Sequence, residues 1–304
     1  MNHISVLLDE SINALNLKKN SIVVDATLGM GGHSKEILRK INDGFLYCFE
    51  QDVTAIEIAE KKLKKYQNFV IIDKNFVYMK EELKKRKIEK VNAIIFDLGV
   101  SSLQLDDQKR GFSFHKEAKL DMRMDKRNKL SAYQVVNDYE EGRLIKILFQ
   151  YGEEKFAKRI AAEIVLRRKN KKIETTLELS EIIKESVPAF YRNEKHPARK
   201  SFQAIRIEVN NELEVLEKGL NQAISLLESN GRLVVITFHS LEDRICSRIF
   251  KEVASLKKGL EKLPIIPESE KVQYKIIKKI KVSKDEIAKN NRARSAKLRI
   301  IERI

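Results

Sequence analysis

Val23-Val24-Asp25-Ala26-Thr27-Leu28-Gly29-Met30-Gly31-Gly32-His33-Ser34 is the stretch on which the fold turns. A β-branched run ends in an acid, glycines crowd the next positions, and an amphipathic segment opens at Ser34. Strand, glycine turn and helix in that order is the context of a nucleotide-type loop. Glycine lets a ligand approach the backbone, and the first N–H groups of the helix are left to bind it. In such a unit a carboxylate about 20 residues on, at the end of the second strand, takes a ribose diol. Glu50 stands 21 positions after Gly29, with Asp52 as its competitor. A dinucleotide site asks for a third glycine at position 34, where this chain has Ser34. Asp25, just ahead of the loop, suits a cationic or amine-bearing ligand better than a pyrophosphate. Both features favour S-adenosylmethionine over NAD(P), whose use in an oxidoreductase remains the rival reading.

Outward from the loop, short β-branched or aromatic runs at 21–26, 45–50, 69–73 and 91–97 alternate with helical spacing at 34–41, 54–66 and 77–87. That alternation predicts a parallel, doubly wound sheet. The run 232–238 reads as a further central strand after the turn Ser229-Asn230-Gly231. Runs at 272–282 and 296–303, with only a loop between them, predict an antiparallel pair at one edge. Between 111 and 201 the alternation stops, and 140–151, 154–168 and 176–187 read as helices, with Ser131 and Asp138 as N-caps. The expected domains are therefore 1–110 with 202–304, and an inserted helical domain 111–201, with a long helix over 202–228 returning the chain to the sheet.

Composition narrows the function classes. With 42% hydrophobic residues, 11 Gly and 4 Pro in 304 positions, the chain can build a core and is neither fibrous nor of low complexity. Cys48 and Cys246 match no metal or disulfide framework, and no metal site is expected. Neither a secretory leader nor a run of about 18 apolar residues is visible, so an intracellular, cytoplasmic protein off the membrane is expected. Sixty Lys+Arg against 44 Asp+Glu leave a net charge of +16, which points to a polyanion. Residues 155–172 hold eight Lys/Arg against Glu163, and 271–304 hold twelve against Asp285, Glu286 and Glu302; the two segments supply the whole excess.

Several blocks then resemble one family in order along the chain. They are Phe96-Asp97-Leu98-Gly99-Val100-Ser101-Ser102-Leu103-Gln104, Arg110-Gly111-Phe112-Ser113-Phe114, Leu120-Asp121-Met122-Arg123-Met124-Asp125, and Tyr151-Gly152-Glu153-Glu154-Lys155-Phe156-Ala157. His196-Pro197-Ala198, Phe202-Gln203-Ala204-Ile205-Arg206, Thr237-Phe238-His239-Ser240-Leu241-Glu242-Asp243-Arg244 and Arg292-Ala293-Arg294-Ser295-Ala296-Lys297-Leu298-Arg299 complete the set. The chain resembles the RsmH/MraW family of bacterial 16S ribosomal RNA methyltransferases, which form N4-methylcytidine in the decoding region of the small subunit. It departs at Glu50, where the family has Asp, at Asn291, where it has Pro, and over 259–271.

The resemblance implies a class I S-adenosylmethionine-dependent methyltransferase fold: a Rossmann-like, mostly parallel seven-stranded sheet with an inserted all-helical domain for RNA recognition. It implies cofactor contacts at Gly31, Gly32, His33, Glu50, Phe76, Asp97 and Gln104, and the small ribosomal subunit as partner. The loop and His33 would meet the methionine end, Glu50 the ribose, and Phe76 the adenine. Cytosine N4 is a weak nucleophile, so transfer needs in-line placement and an acceptor for its proton. Asp97 is the candidate acceptor, with the carbonyls of 98–101 as the alternative. Phe112, Phe114 and His115, or Phe238 and His239, could stack an extruded base. Ser240 to Asp243 also reads as a helix cap with its capping-box carboxylate. The alternatives are another RNA acceptor atom or a non-catalytic RNA-binding assembly factor.

Overall fold

Val, Ile and Phe dominate the predicted central strands because strands covered on both faces read as continuous apolar runs. In the computed structural model, which describes residues 5–194, 196–256, 259–260 and 266–304, these runs form β1 (Ile22–Asp25), β2 (Phe45–Glu50), β3 (Phe69–Asp73), β4 (Val91–Asp97) and β5 (Leu227–Thr237). The edge pair is β6 (Tyr274–Lys281) and β7 (Lys297–Arg303). The seven-stranded order is β3-β2-β1-β4-β5-β7-β6, parallel up to β5, with β7 antiparallel to both its neighbours. Val24, Ile94, Phe96 and Val235 pack on one face, and Val23, Cys48, Ile95 and Val234 on the other. Both cysteines are buried and free, and burial pushes the Cys48 thiol up.

The helices are α1 (Leu8–Ala14), α2 (Gly32–Lys40), α3 (Val53–Leu63), α4 (Met79–Lys85), α5 (Ser102–Asp106), α6 (Ala132–Asp138) and α7 (Glu141–Gly152). They continue as α8 (Ala157–Asn170), α9 (Thr176–Ser186), α10 (Ala189–Glu194), α11 (Ala198–Asn210), α12 (Glu212–Leu226), α13 (Ser240–Val253) and α14 (Lys284–Lys289). Three sequence expectations need correction. The long helix over 202–228 is two helices, α11 and α12, because Asn211 takes a left-handed φ of 49°. Asp138 ends α6 and caps nothing, while Ser131 does cap α6 with Gln134 completing the box. The link between β6 and β7 holds α14 and a short turn, Asn291–Ser295, beyond the loop expected there.

Two units result, Met1–Gly99 with Leu213–Ile304, and Val100–Glu212. Both junctions lie outside the expected 111–201, and the second unit's own bonds explain why. Arg110, 2% exposed, donates to the carbonyls of Arg123 and Met124 at 2.9 and 3.0 Å. Asn210, at the end of α11, donates to the Met122 carbonyl and accepts from the Met124 N–H, both at 2.8 Å. These residues therefore belong with the helices between them. The core of this unit is apolar, built on Val135, Leu148, Ile160, Ile164, Ile183 and Ile205.

Candidate active site

β1 hands the chain to α2 through the glycine loop. Gly29 and Gly31 sit at φ 51° and 70°, where a side chain is strained, and Gly31 caps α2. At Gly32 an added Cβ would meet Ser5 Oγ at 1.9 Å, so a side chain there would force the Ser5 hydroxyl to turn away. The loop is fastened from below. Asp25, 1% exposed, accepts from Thr27 N–H at 3.1 Å and from Ser34 Oγ at 2.6 Å. Position 34 thus carries a hydroxyl because the interior carboxylate beside it needs a donor. Burial still pushes the Asp25 carboxyl up to about 6, against the two bonds that lower it.

Glu50 ends β2 and holds backbone. Its Oε2 accepts from Gly29 N–H at 2.8 Å, and its Oε1 from Gln51 and Asp52 N–H at 2.9 Å each. Burial raises this carboxyl also. Asp52, the competing acid, caps α3 by accepting from Thr54 N–H. That bond gives it a structural task at the helix start.

Asp97 ends β4 opposite Ile236 on β5, two residues beyond Ile95, which pairs with Asp25 at the end of β1. Its backbone N–H donates to Thr27 Oγ1 at 2.6 Å, tying the strand end to the loop. His33, in the first turn of α2, places Nδ1 3.5 Å from Asp97 Oδ2. Oδ1 is buried without a hydrogen-bond partner among the described residues. Burial, then repulsion from Asp25 and Glu242, lifts the Asp97 carboxyl to about 8. Gly31, Gly32, His33, Glu50 and Asp97 thus share one end of the sheet, where ligands of open α/β sheets collect.

The other named residues lie elsewhere or do other work. Phe76 follows β3 in a short turn and sets its ring edge-on to Phe96, 5.1 Å between centroids. That turn is tied to the β2 end by Asn75 Nδ2 donating to Gln51 Oε1 at 2.9 Å. Gln104 belongs to the second unit, where its Oε1 accepts from Ser101 N–H at 3.1 Å in the capping box of α5. His239, one residue ahead of the predicted cap Ser240, is the N-cap of α13, with Nε2 3.1 Å from Glu242 Oε1. Its Nδ1 accepts from Glu242 N–H at 3.5 Å as the cap, while Nε2 is buried without a hydrogen-bond partner among the described residues. Phe112 is core of the second unit, while Phe114 stacks on His196 at 4.6 Å and leans on His115 at 4.4 Å. Phe238 lies against Gly99, where an added Cβ would sit 3.5 Å from its ring.

The loop's inward groups fit a cationic ligand. Glu50 and Asp97 end neighbouring strands at the loop, with Asp25 buried beneath it. This acidic surrounding disfavours a pyrophosphate and favours a cation, which would draw the Asp97 carboxyl into its ionised form. A sulfonium with an α-amino group meets the same acids favourably, and Asp97 Oδ1 is a buried acceptor in need of a donor.

Sequence reasoning did not find Thr27 Oγ1 or Ser34 Oγ. The available signal was an interior strand-end acid followed at short range by two hydroxyl residues.

Among known proteins, the model of the MraW methylase family matches residues 1–304. A protein named ribosomal RNA small subunit methyltransferase H, from Exiguobacterium sibiricum, is 50% identical over 306 residues, covering 99% of this chain and 98% of its own. One of the same name from Clostridium botulinum is 50% identical over 305 residues, covering 99% of each. No helix among the described residues is long and apolar enough to cross a membrane.

Proposed function

The chain belongs to the MraW methylase family, and on that premise we propose that it methylates the exocyclic N4 of a cytidine in 16S ribosomal RNA. The methyl donor is S-adenosylmethionine, whose sulfonium supplies an electrophilic methyl group when bound. The observation that carries the reading is the acid-lined glycine loop with Asp97 at its mouth, in a chain half identical to rRNA small subunit methyltransferases along its whole length.

The chain's own residues have distinct tasks. The N–H groups at the start of α2, which no side chain caps, and His33 receive the methionine end. Glu50 shapes the loop through its three backbone bonds and offers its charge to the ribose. Phe76 lines the adenine side. Asp97 Oδ1 accepts the N4 proton as the new bond forms, and the high proton affinity of this carboxyl makes it an effective base.

RNA recognition falls to the second unit. Of its basic segment, Arg167 pairs with Glu163 and Glu185, Lys171 with Glu178, and Lys172 with Asp138. Arg168 donates to the carbonyls of Val136 and Tyr139. Lys155, Lys158, Arg159 and Lys169 are exposed and make no ion pair among the described residues, and these four are the phosphate contacts.

Mass spectrometry of nucleosides from 16S RNA, with and without the gene, tests the reading. Loss of N4-methylcytidine on deletion, restored by the wild-type gene and not by Asp97→Asn, is the expected result. An unchanged nucleoside profile would overturn it. The Asp97→Asn protein should bind the cofactor more weakly, lacking the charge that meets its cation, so the comparison is made with the cofactor in saturating excess.

A further inference from the structure

The edge of the sheet that carries Asp97 continues into a second charged feature. Asp97 lies beside Ile236 on β5, Thr237 lies beside Lys297 at the start of β7, and Lys297 lies beside Lys281 at the end of β6. Neighbouring strands are roughly 4.8 Å apart. Lys297 is therefore roughly 10 Å, and Lys281 roughly 15 Å, along the same edge from Asp97.

Directly opposed residues of an antiparallel pair share a face, as do residues two apart on one strand. Lys279 is opposite Arg299 and Lys281 opposite Lys297, so four cations form a block on one face. Like charges directly opposed weaken a ladder, and here two such pairs stand side by side. One carboxylate serves them. Asp243 on α13 accepts from Arg299 Nε at 2.6 Å and Lys297 Nζ at 2.7 Å, and lies 3.7 Å from Lys279 Nζ. Burial works against that charge, but the bonds from Arg299 and Lys297 hold the carboxyl at about 2, so the acid stays ionised. Lys281 is exposed without an ion pair among the described residues, as is Arg294 in the turn ahead of β7. The block keeps a large positive excess around one acid, in a geometry that costs sheet stability.

We infer that Lys279, Lys281, Lys297 and Arg299, oriented by Asp243, seat the phosphate backbone of the RNA strand within a few nucleotides of the cytidine presented to Asp97. The inference rests on the RNA-methyltransferase reading above. Single strands with extruded bases are held by cationic grooves that track the backbone, together with stacking of the bases. The block lies on the same unit as Asp97 but on the face of Val235 and Ile301, opposite that of Ile95 and Ile236. A strand that reaches both therefore passes over this edge of the sheet and is held there in register with the reacting base.

The test is a Lys279→Gln/Lys281→Gln protein, altered only at exposed positions. Each phosphate contact contributes about 0.7 to the slope of log affinity against log salt for a single strand. With unmodified small-subunit particles from a deletion strain as probe, the slope should fall by about 1.4, and KM should rise roughly tenfold. Both kcat and the dissociation constant for S-adenosylmethionine should match wild type. A wild-type slope and KM would overturn the inference, as would a lowered Tm with no change of slope, which would make the block a brace for α13. Particle binding like wild type, with loss of an acidic protein's binding, would overturn it in favour of a protein partner. If wild-type protein transfers no methyl group at all, the functional reading fails instead, and the slope comparison still decides the phosphate seat.

Discussion

Ser34→Ala isolates the bond on which the glycine loop rests. Ser34 Oγ donates to Asp25 Oδ2 at 2.6 Å in the interior, leaving Thr27 N–H at 3.1 Å as the other donor to that carboxylate. A hydrogen bond to a buried charge is worth about 1.5–3 kcal/mol, so the substitution should cost about 2 kcal/mol where Asp25 is ionised. For a unit of this size that is a fall in Tm of about 4–8 °C. The pH dependence is the diagnostic part. Asp25 sits at about 6 in the folded protein against an ordinary 3.8, so folding favours its protonated form. Its contribution is fully favourable below the ordinary value and is lost as pH rises through about 6, a swing of about 3 kcal/mol. Removing the Ser34 donor raises the folded value further. The deficit of Ser34→Ala against wild type should therefore be large at pH 8 and small at pH 4.5. Paired thermal melts at the two pH values measure it, and an equal deficit at both would refute the reasoning.

Cofactor binding should release close to one proton at pH 7, because Asp97, raised to about 8, is protonated in the free protein and gives up its proton to meet a cation. Calorimetry in buffers of different ionisation heat reads this directly, and heats independent of buffer would contradict it. Gly219→Ala would place a Cβ 2.6 Å from the Phe76 ring and force that ring to move. If Phe76 lines the adenine side, affinity for S-adenosylmethionine should drop about tenfold while affinity for methionine alone is unchanged; equal affinities for the intact cofactor would remove Phe76 from the site.

The sheet was legible because its signal is long-ranged and redundant. Val23 to Asp25, Val91 to Asp97 and Leu233 to Ile236 each carry enough apolar residues to be read without neighbours. The antiparallel edge was legible from the absence of a crossover helix. The break at Asn211 was not, since the apolar period runs on through both helices and a single left-handed residue leaves no trace in it. The cap of α13 was misplaced by one residue because His239, a less usual cap than the serine after it, accepts from Glu242 N–H. At the site, spacing chose Glu50 over Asp52, yet the three amides it binds are backbone groups with no sequence signature. Gln104 and Phe76 carry the limit of motif transfer: each occupies its motif position, and each has a local partner in Ser101 or Phe96 that the motif does not mention.

Pairing of β4 with β5 joins Asp97 to Ile236 across the whole of the second unit. During synthesis β3, β2, β1 and β4 leave the ribosome first, and the hydrogen-bonding edge of β4 must wait for more than a hundred residues. Closing so long a loop as coil carries an entropy that grows with the logarithm of its length. The helical unit, which closes on itself through the packing of α7 against α11, shortens that loop once it has folded and before β5 pairs. The central pairing of the sheet therefore forms late, and changes that slow the helical unit should leave a β4 edge exposed to aggregation at the birth of the chain, even where the finished protein is stable.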